Sequence, residues 1–304
     1  MSDFERDFYI EKLCNFVVMQ NEKIKSFLNG STDCFEAVFV NSGKLNVTVG
    51  ENIYECPQGT AIIVPPNVMH FIKLKENVYA EYTAVSFFAK GEMCNEFGAL
   101  ITPLSVFQKQ LVLSISNLIS ASCGYNKAIS GSGEISDLEL LKLIAATELT
   151  VLETYSNNEY IANIDSRDAA IFKTAVEKMQ KNVLGKTSAE EMANELSISL
   201  SHLKRIFALF TDVGAHEYFM QLKIIKAKEM LKSGVSVTET AEKTGFNNQN
   251  YFSAAFKRIA GVSPKEYGGV KLKKFDAPKP TKLVQKEAAK PKTESAADMP
   301  SYLL

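Results

Sequence analysis

Two clusters of polar side chains carry the chemistry most worth following: Ser201, His202, Lys204 and Arg205, then Asn248, Gln249, Asn250, Ser253 and Lys257. Each is interleaved with apolar residues at helical spacing, Leu203, Ile206, Phe207 and Phe210 in the first and Phe252, Ala255, Phe256 and Ile259 in the second. The polar residues therefore fall on the opposite side of each helix from the apolar ones. Arg pairs bidentately with guanine, Asn and Gln with adenine, and Ser with either, while Ala208 or Ala254 can touch a thymine methyl. A merely solvated face would carry Asp and Glu, and neither of these does. Reading the major groove of double-stranded DNA is the chemistry this residue set fits.

Each cluster needs an element that holds it at an angle to a neighbour, and the flanking sequence supplies one twice. Ser188-Ala189-Glu190-Glu191 and Ser236-Val237-Thr238-Glu239 both read as S-x-x-E capping boxes that open a short helix. A small residue follows in each, Ala193 and Ala241, and then a turn, Ser197-Ile198 and Gly245-Phe246. In the second helices Leu203 matches Phe252 and Phe207 matches Phe256. Beyond them Val213 matches Val262, Glu217 matches Glu266 and Tyr218 matches Tyr267. A short helix, a tight turn and a second helix form a helix-turn-helix, and the internal repeat predicts two.

Over roughly residues 167–268, and most specifically from Ala241 to Tyr267, the chain resembles the AraC/XylS family of bacterial transcription regulators. The resemblance rests on Gly245-Phe246, Tyr251-Phe252, Phe256-Lys257 and Gly261-Val262-Ser263-Pro264, and on a linking helix around residues 223–231 with Lys223 where Arg is usual. It implies that Ser201, Lys204 and Arg205, and then Gln249, Asn250 and Ser253, enter successive major-groove faces of one DNA side. It further implies a homodimer, a small-molecule effector and RNA polymerase as partners. Three departures stand out. Asp212 occupies a usual Gly position, Ala208 and Leu209 replace a usual Lys pair, and Ala254 replaces a common Arg.

The remainder of the chain is organised differently. Residues 35–88 alternate apolar and polar with turn residues between, which predicts short strands in a sandwich or barrel. Gly59, Pro65, Asn67 and His70 are similar to the second motif of a cupin, with Asn67 in place of Gly, and the first, histidine-bearing motif is missing. Glu36 and His70 are the residues expected to border a ligand pocket. With His70, His202 and His216 as the whole histidine complement, a His-rich metal site cannot be assembled, and no metal or cofactor is expected. Two antiparallel helices follow, marked by Leu104, Phe107, Leu111, Ile115 and Leu118 and by Leu138, Leu141, Ala145, Leu149 and Leu152. Their stripes suit a subunit interface.

The expected fold is thus α+β: a cupin-like β-barrel sensor over 1–90, a helical dimerisation region over 91–163, a DNA-binding domain with two helix-turn-helix motifs over 164–271, and a disordered tail over 272–304. Charge follows the same division, with net −8 over 1–163, +6 over 164–274 and +1 over 275–304. Such segregation fits a basic half that meets a polyanion. Five cysteines without a CxxC pair argue against a disulfide framework, and Met1–Asp7 is acidic and mixed rather than leader-like. With no apolar run of bilayer length, a cytoplasmic protein that does not enter membranes is expected. The alternative, a cupin-type enzyme with a helical appendage, is disfavoured by the missing histidines and by the absence of a catalytic constellation.

Overall fold

The computed structural model describes residues 7–21, 32–73, 79–130, 135–156, 160–185 and 187–269. The predicted tail over 272–304 lies outside the described residues. The architecture is α+β, with antiparallel sheets in the N-terminal half and helices in the C-terminal half. Residues 1–269 belong to one compact unit. Among the described residues, no helix is long and apolar enough to cross a membrane.

Strand β1 (Tyr9–Asn21) lies beside β7 (Ala80–Lys90), and β7 pairs on its other edge with β2 (Phe35–Ser42). Adding β5 (Thr60–Val64), β8 (Leu100–Pro103) and the short β9 (Ile129–Ser130) gives the order β8-β5-β2-β7-β1-β9. A second sheet has the order β4-β3-β6, from β3 (Lys44–Val49), β4 (Asn52–Pro57) and β6 (His70–Lys73). Gly43 turns the chain from β2 into β3 with φ of 73°, and a Cβ there would stand 2.2 Å from the Tyr79 carbonyl oxygen. That position needs glycine twice over, for its dihedral and for its space.

Side chains two apart share a face of a strand. Phe35, Ala37 and Phe39 therefore point to one side of β2, and Val38 and Val40 to the other. The second set meets Leu45, Val47, Ile72 and Tyr82 between the two sheets. The expected barrel is corrected here: the described strands form two separate sheets and do not close into a cylinder. Strand β1 has no counterpart in the sequence pattern. Register shifts at Ile10/Lys12 and Leu13/Asn15 break its alternation, so Leu13, Phe16, Val17 and Val18 are all buried without a clean period of two.

Helices α1 (Val106–Cys123) and α2 (Asp137–Tyr155) cover the outer face of the large sheet, each opened by a capping box, Ser105 with Gln108 and Ser136 with Glu139. The buried face of α2 differs from the expected stripe: Leu138 and Leu141 are 62% and 63% exposed. Instead Leu143, Thr147, Thr150, Val151 and Thr154 face inward. Each threonine hydroxyl donates to the carbonyl four residues back at 2.7 Å, Thr147 to Leu143, Thr150 to Ala146 and Thr154 to Thr150. With the hydroxyl satisfied locally, the threonine methyl packs like an apolar group.

The C-terminal half comprises α3 (Arg167–Lys181), α4 (Ala189–Glu195), α5 (Leu200–Phe210), α6 (Ala215–Lys232), α7 (Val237–Lys243), α8 (Gln249–Ala260) and α9 (Pro264–Gly269). Phe172, Leu203, Phe207 and Tyr218 centre one core, and Ile224, Phe252 and Phe256 another. The small sheet packs into the first core through Ile53, Met69 and Phe71. Thr48 donates to the Phe210 carbonyl at 2.6 Å and the Tyr218 hydroxyl to the Gly50 carbonyl at 3.1 Å, which fixes the end of α5 against β3.

Candidate nucleic-acid interface

Helices α4 and α5 form one helix-turn-helix, and α7 and α8 the other. Their turns are built alike. Ser197 and Gly245 both take left-handed dihedrals, φ 54° and 75°. The next residue of each turn, Ile198 or Phe246, donates its N–H to the carbonyl of Ala193 or Ala241, at 3.0 and 2.9 Å. This is the Schellman ending of a helix, and it sets the angle at which the next one leaves. The caps are less alike: Ser188 and Glu191 form the reciprocal box, whereas at Ser236 the side chain accepts from Glu239 N and Glu239 pairs with Lys243 at 2.7 Å.

Ser199 caps α5 and Asn248 caps α8. The interior sides are as expected, with Leu203, Ile206 and Phe207 buried in the first and Phe252, Ala255 and Phe256 in the second. Outward on α5 stand Ser201, Lys204, Arg205 and Ala208, with His202 half-buried. Arg205 Nη2 donates to both carboxylate oxygens of Asp168 on α3, at 3.1 and 3.0 Å, and lies 3.0 Å from His202 Nε2. The Arg205 guanidinium, then His202, holds the Asp168 carboxyl below its ordinary range against the opposing effect of burial. The outward face of α5 is therefore flanked by a carboxylate from another helix, which no pattern within α5 could disclose.

On α8, Asn250, Ala254 and Lys257 are exposed and Ser253 is half-buried. Asn248 serves the fold of the helix itself, since its Oδ1 accepts from the N–H groups of Asn250 at 2.7 Å and Tyr251 at 3.4 Å. Gln249 Oε1 accepts from Thr238 Oγ1 at 3.1 Å, which steadies it against α7. Arg258, the next cation along, is committed to α6 through paired bonds to Glu217 at 2.8 and 3.0 Å, and that carboxylate holds its proton more firmly still. The repeat explains the pairing. Glu266 spends its carboxylate on the N–H of Ser263, whereas Glu217 follows Gly214, which has no side-chain cap, and reaches Arg258 instead.

The other sequence-derived pair sits in the N-terminal half. His70 and Glu36 are both buried, with Nε2 2.5 Å from Glu36 Oε2 in a charge contact that lacks the alignment of a good hydrogen bond. His70 Nδ1 faces the Val68 carbonyl at 3.0 Å, and Ser86 Oγ donates to Glu36 Oε1 at 3.2 Å. They bind one another between the sheets. A cavity of about 620 Å³ lies instead beside α1, with Asn41, Glu81, Lys109, Ser116 and Tyr125 among its lining residues. Asn67 takes φ of 63°, the left-handed region that glycine fills most readily. Among the described residues, no three His, Cys, Asp or Glu side chains gather as a metal site.

A family model described as "Helix-turn-helix domain", of AraC type, matches residues 192–269. An HTH-type transcriptional regulator from the cgkA 5' region of Pseudoalteromonas carrageenovora is 31% identical over 97 residues, 32% of this chain and 58% of that protein. The Msm operon regulatory protein of Streptococcus mutans is 22% identical over 233 residues, 75% of this chain and 82% of that one. Among solved structures, the C-terminal domain of AraT, a response regulator from Geobacillus stearothermophilus, is 31% identical over 34% of this chain and 87% of its own, with a TM-score of 0.33. Residues 192–269 thus form an AraC-type helix-turn-helix domain, the kind that DNA-binding transcription regulators carry.

The departures from the AraC/XylS pattern now have physical readings. Asp212 is not in the left-handed region, unlike Gly261 at the matching place in the second motif with φ 78°. Helix α5 ends on extended Thr211, whose hydroxyl donates to the carbonyls of Phe207 and Val213 at 2.8 and 2.7 Å. The turn is reshaped rather than strained. Ala208 offers its carbonyl to Lys73 Nζ of the small sheet, which also bonds the Thr211 carbonyl at 3.2 Å. Lys223 is buried and donates to the carbonyls of Gly185 at 2.5 Å and Thr244 at 2.8 Å. It ties the turn of the second motif to the end of α3.

Proposed function

We propose that this regulator reads a bipartite site on double-stranded DNA, with α5 and α8 in successive major-groove faces and an N-terminal cupin-like half that governs the reading. The observation that carries it is the pair of exposed, cation-bearing faces at equivalent places in two built helix-turn-helix units, Ser201, Lys204 and Arg205 on α5 and Asn250, Ser253 and Lys257 on α8. His202, Asn248 and Gln249 support these faces as well as bordering them. Lysines that neutralise phosphates supply salt-dependent affinity, and the remaining side chains supply sequence choice. Selection of bound sequences from random DNA tests this: two conserved blocks about one helical turn, ~34 Å, apart are expected. A chain that enriches no sequence overturns the reading.

The second half of the proposal concerns control. Leu138, Leu141 and Leu149 leave a stripe on α2 exposed to 48–63%, which suits the homodimer interface that the family resemblance implies. Sedimentation of Leu141→Glu beside the parent chain tests it; a monomeric variant of a dimeric parent is expected. A small-molecule effector would act in the N-terminal half, where the cavity beside α1 has room for one and the Glu36–His70 pair lies behind the large sheet. It would have to bind the DNA-competent arrangement differently from the other. Thermal-shift screening against small metabolites, sugars included, checks it. RNA polymerase is the further partner, and a cytoplasmic, non-enzymatic role completes the reading.

A further inference from the structure

Cys14 lies on β1 and Cys34 immediately precedes β2, strands that flank β7 on opposite edges. Both nonetheless line a single cavity of about 570 Å³, where each thiol influences the titration of the other. Cys14 falls within the register shift between Leu13 and Asn15, outside the regular ladder. A residue at a bulge can lean away from the sheet more readily than one in register.

The two sulfurs are chemically unequal. The neighbouring Cys34 thiol holds the Cys14 thiol below its ordinary value, with Lys12 assisting against burial, and the Cys14 thiol together with burial pushes Cys34 up. A thiolate-prone sulfur beside a protonated one is how an attacking and a resolving cysteine are arranged. The other three differ. Burial pushes the Cys56 thiol up to about 12 and raises Cys94 as well, and Cys123 donates to the Ile119 carbonyl at 3.0 Å.

The far wall of the cavity belongs to the helical half: Lys228 of α6, and Ile259 and Ala260 at the end of α8. Lys228 is buried and bonded at 3.0 Å to Asp33, the neighbour of Cys34. Its Nζ stands 5.8 Å from the ring centre of Tyr267 on α9. The segment that carries Cys34 is thus tied through Asp33 to Lys228 of α6, beside the end of α8.

We propose that Cys14 and Cys34 are a peroxide-oxidised dithiol whose disulfide shifts Asp33 against Lys228 and so signals oxidation to the second helix-turn-helix. The Cys14 thiolate attacks one oxygen of hydrogen peroxide, the O–O bond breaks, and a sulfenic acid forms while the departing hydroxide takes up a proton. The Cys34 sulfur then attacks the Cys14 sulfur, the S–O bond breaks, and the hydroxyl leaves with the Cys34 proton as water. Two thiols and one peroxide give one disulfide and two waters; the sulfurs lose the two electrons that the peroxide oxygens gain. Strands on either side of a third lie about 9.6 Å apart, whereas disulfide-linked Cα atoms stand about 4.4–6.8 Å apart. Closing the bridge therefore displaces backbone at the bulge, at the Asp33–Cys34 loop, or at both.

The test uses the reduced full chain, one equivalent of hydrogen peroxide, digestion without reductant and mass spectrometry, with Cys56, Cys94 and Cys123 as internal references. A Cys14–Cys34 cross-linked peptide is expected as the main product, reversed by dithiothreitol and lost in both Cys14→Ser and Cys34→Ser. Hydrogen exchange should rise on oxidation across residues 226–232 and 256–261. Oxidation of Cys94 or Cys123 first, or a Cys14 sulfenic acid that never links to Cys34, overturns the dithiol. A disulfide with unchanged exchange overturns the signalling. The unmodified chain gives the main reading, so a serine variant that misfolds does not blunt it. Neither readout involves DNA, so its failure is distinct from failure of the DNA reading.

Discussion

Arg205 Nη2 lies 3.1 and 3.0 Å from the two carboxylate oxygens of Asp168, so the side chain best suited to a guanine edge is held by α3 before any DNA arrives. Groove binding has to exchange this carboxylate for a base. Both side chains reach solvent, Arg205 more than Asp168, so the pair is screened and holds weakly. Asp168→Asn should therefore tighten DNA binding modestly at low salt, an effect that added salt diminishes. Arg205→Ala should weaken it by about 1–3 kcal/mol and relax the preference at one base pair. Anisotropy titrations on a selected site and on its single-base variants measure both, and an Asp168→Asn chain that binds more weakly would show that the carboxylate aims Arg205 rather than detaining it.

The cations near the reading faces should separate by role when salt is varied. Lys204 and Lys257 are exposed on their helices, whereas Arg258 is engaged by Glu217. Lys204→Gln and Lys257→Gln should each reduce the slope of log affinity against log salt by about 1, since each removes one phosphate contact. Arg258→Gln should leave that slope unchanged and lower the unfolding midpoint instead. Titrations at four or more salt concentrations distinguish the two behaviours.

Much of this site is legible in the sequence because a duplicated motif supplies its own control. The matched buried pairs Leu203/Phe252 and Phe207/Phe256 fix the helical phase, and once the phase is fixed the outward residues follow. Relations between distant segments are not legible. Asp168 beside Arg205, Lys73 on the end of α5 and Glu217 on Arg258 depend on tertiary placement, which no local period encodes. Strand β1 escapes because its bulges scramble the alternation, and the inner face of α2 because threonines that bond their own helix behave as apolar residues. Asn248 caps α8 through its amide oxygen, a role that its side-chain type allows beside the expected base contact and that side-chain type alone does not single out.

Lys223 shows how one buried cation can hold a motif together. Its Nζ bonds the Gly185 and Thr244 carbonyls and sits 4.9 Å from the ring centre of Phe219. Next to Thr244, a Cβ on Gly245 would come within 2.4 Å of the Gly185 carbonyl oxygen, so the two loops already meet closely. Lys223→Met fills the space and leaves both carbonyls unpaired, which should cost about 1–3 kcal/mol. Lys223→Arg keeps donors for both and should retain most of the stability. Urea midpoints of the three chains decide it, and equal midpoints for Met and Lys would deny the lysine this role.

Stability should also depend on pH through His70. Burial drives its ring toward the neutral form, yet the Glu36 carboxylate and the Val68 carbonyl outweigh burial and raise its pKa above the ordinary 6.5. A group whose folded pKa is raised stabilises the fold fully below its unfolded value and loses that contribution as pH climbs through the folded value. Each unit of elevation is worth about 1.4 kcal/mol. The stability difference between the parent chain and His70→Gln should accordingly be largest below the ordinary histidine value of about 6.5 and shrink as pH climbs through the raised folded value. Glu36→Gln should reverse the sign of the dependence, because burial, the largest influence on the ring, then favours its neutral form with only the Val68 carbonyl opposing it. Urea unfolding of the three chains across this range measures it, and a difference that grows with pH would mean that the ring is neutral in the folded protein throughout.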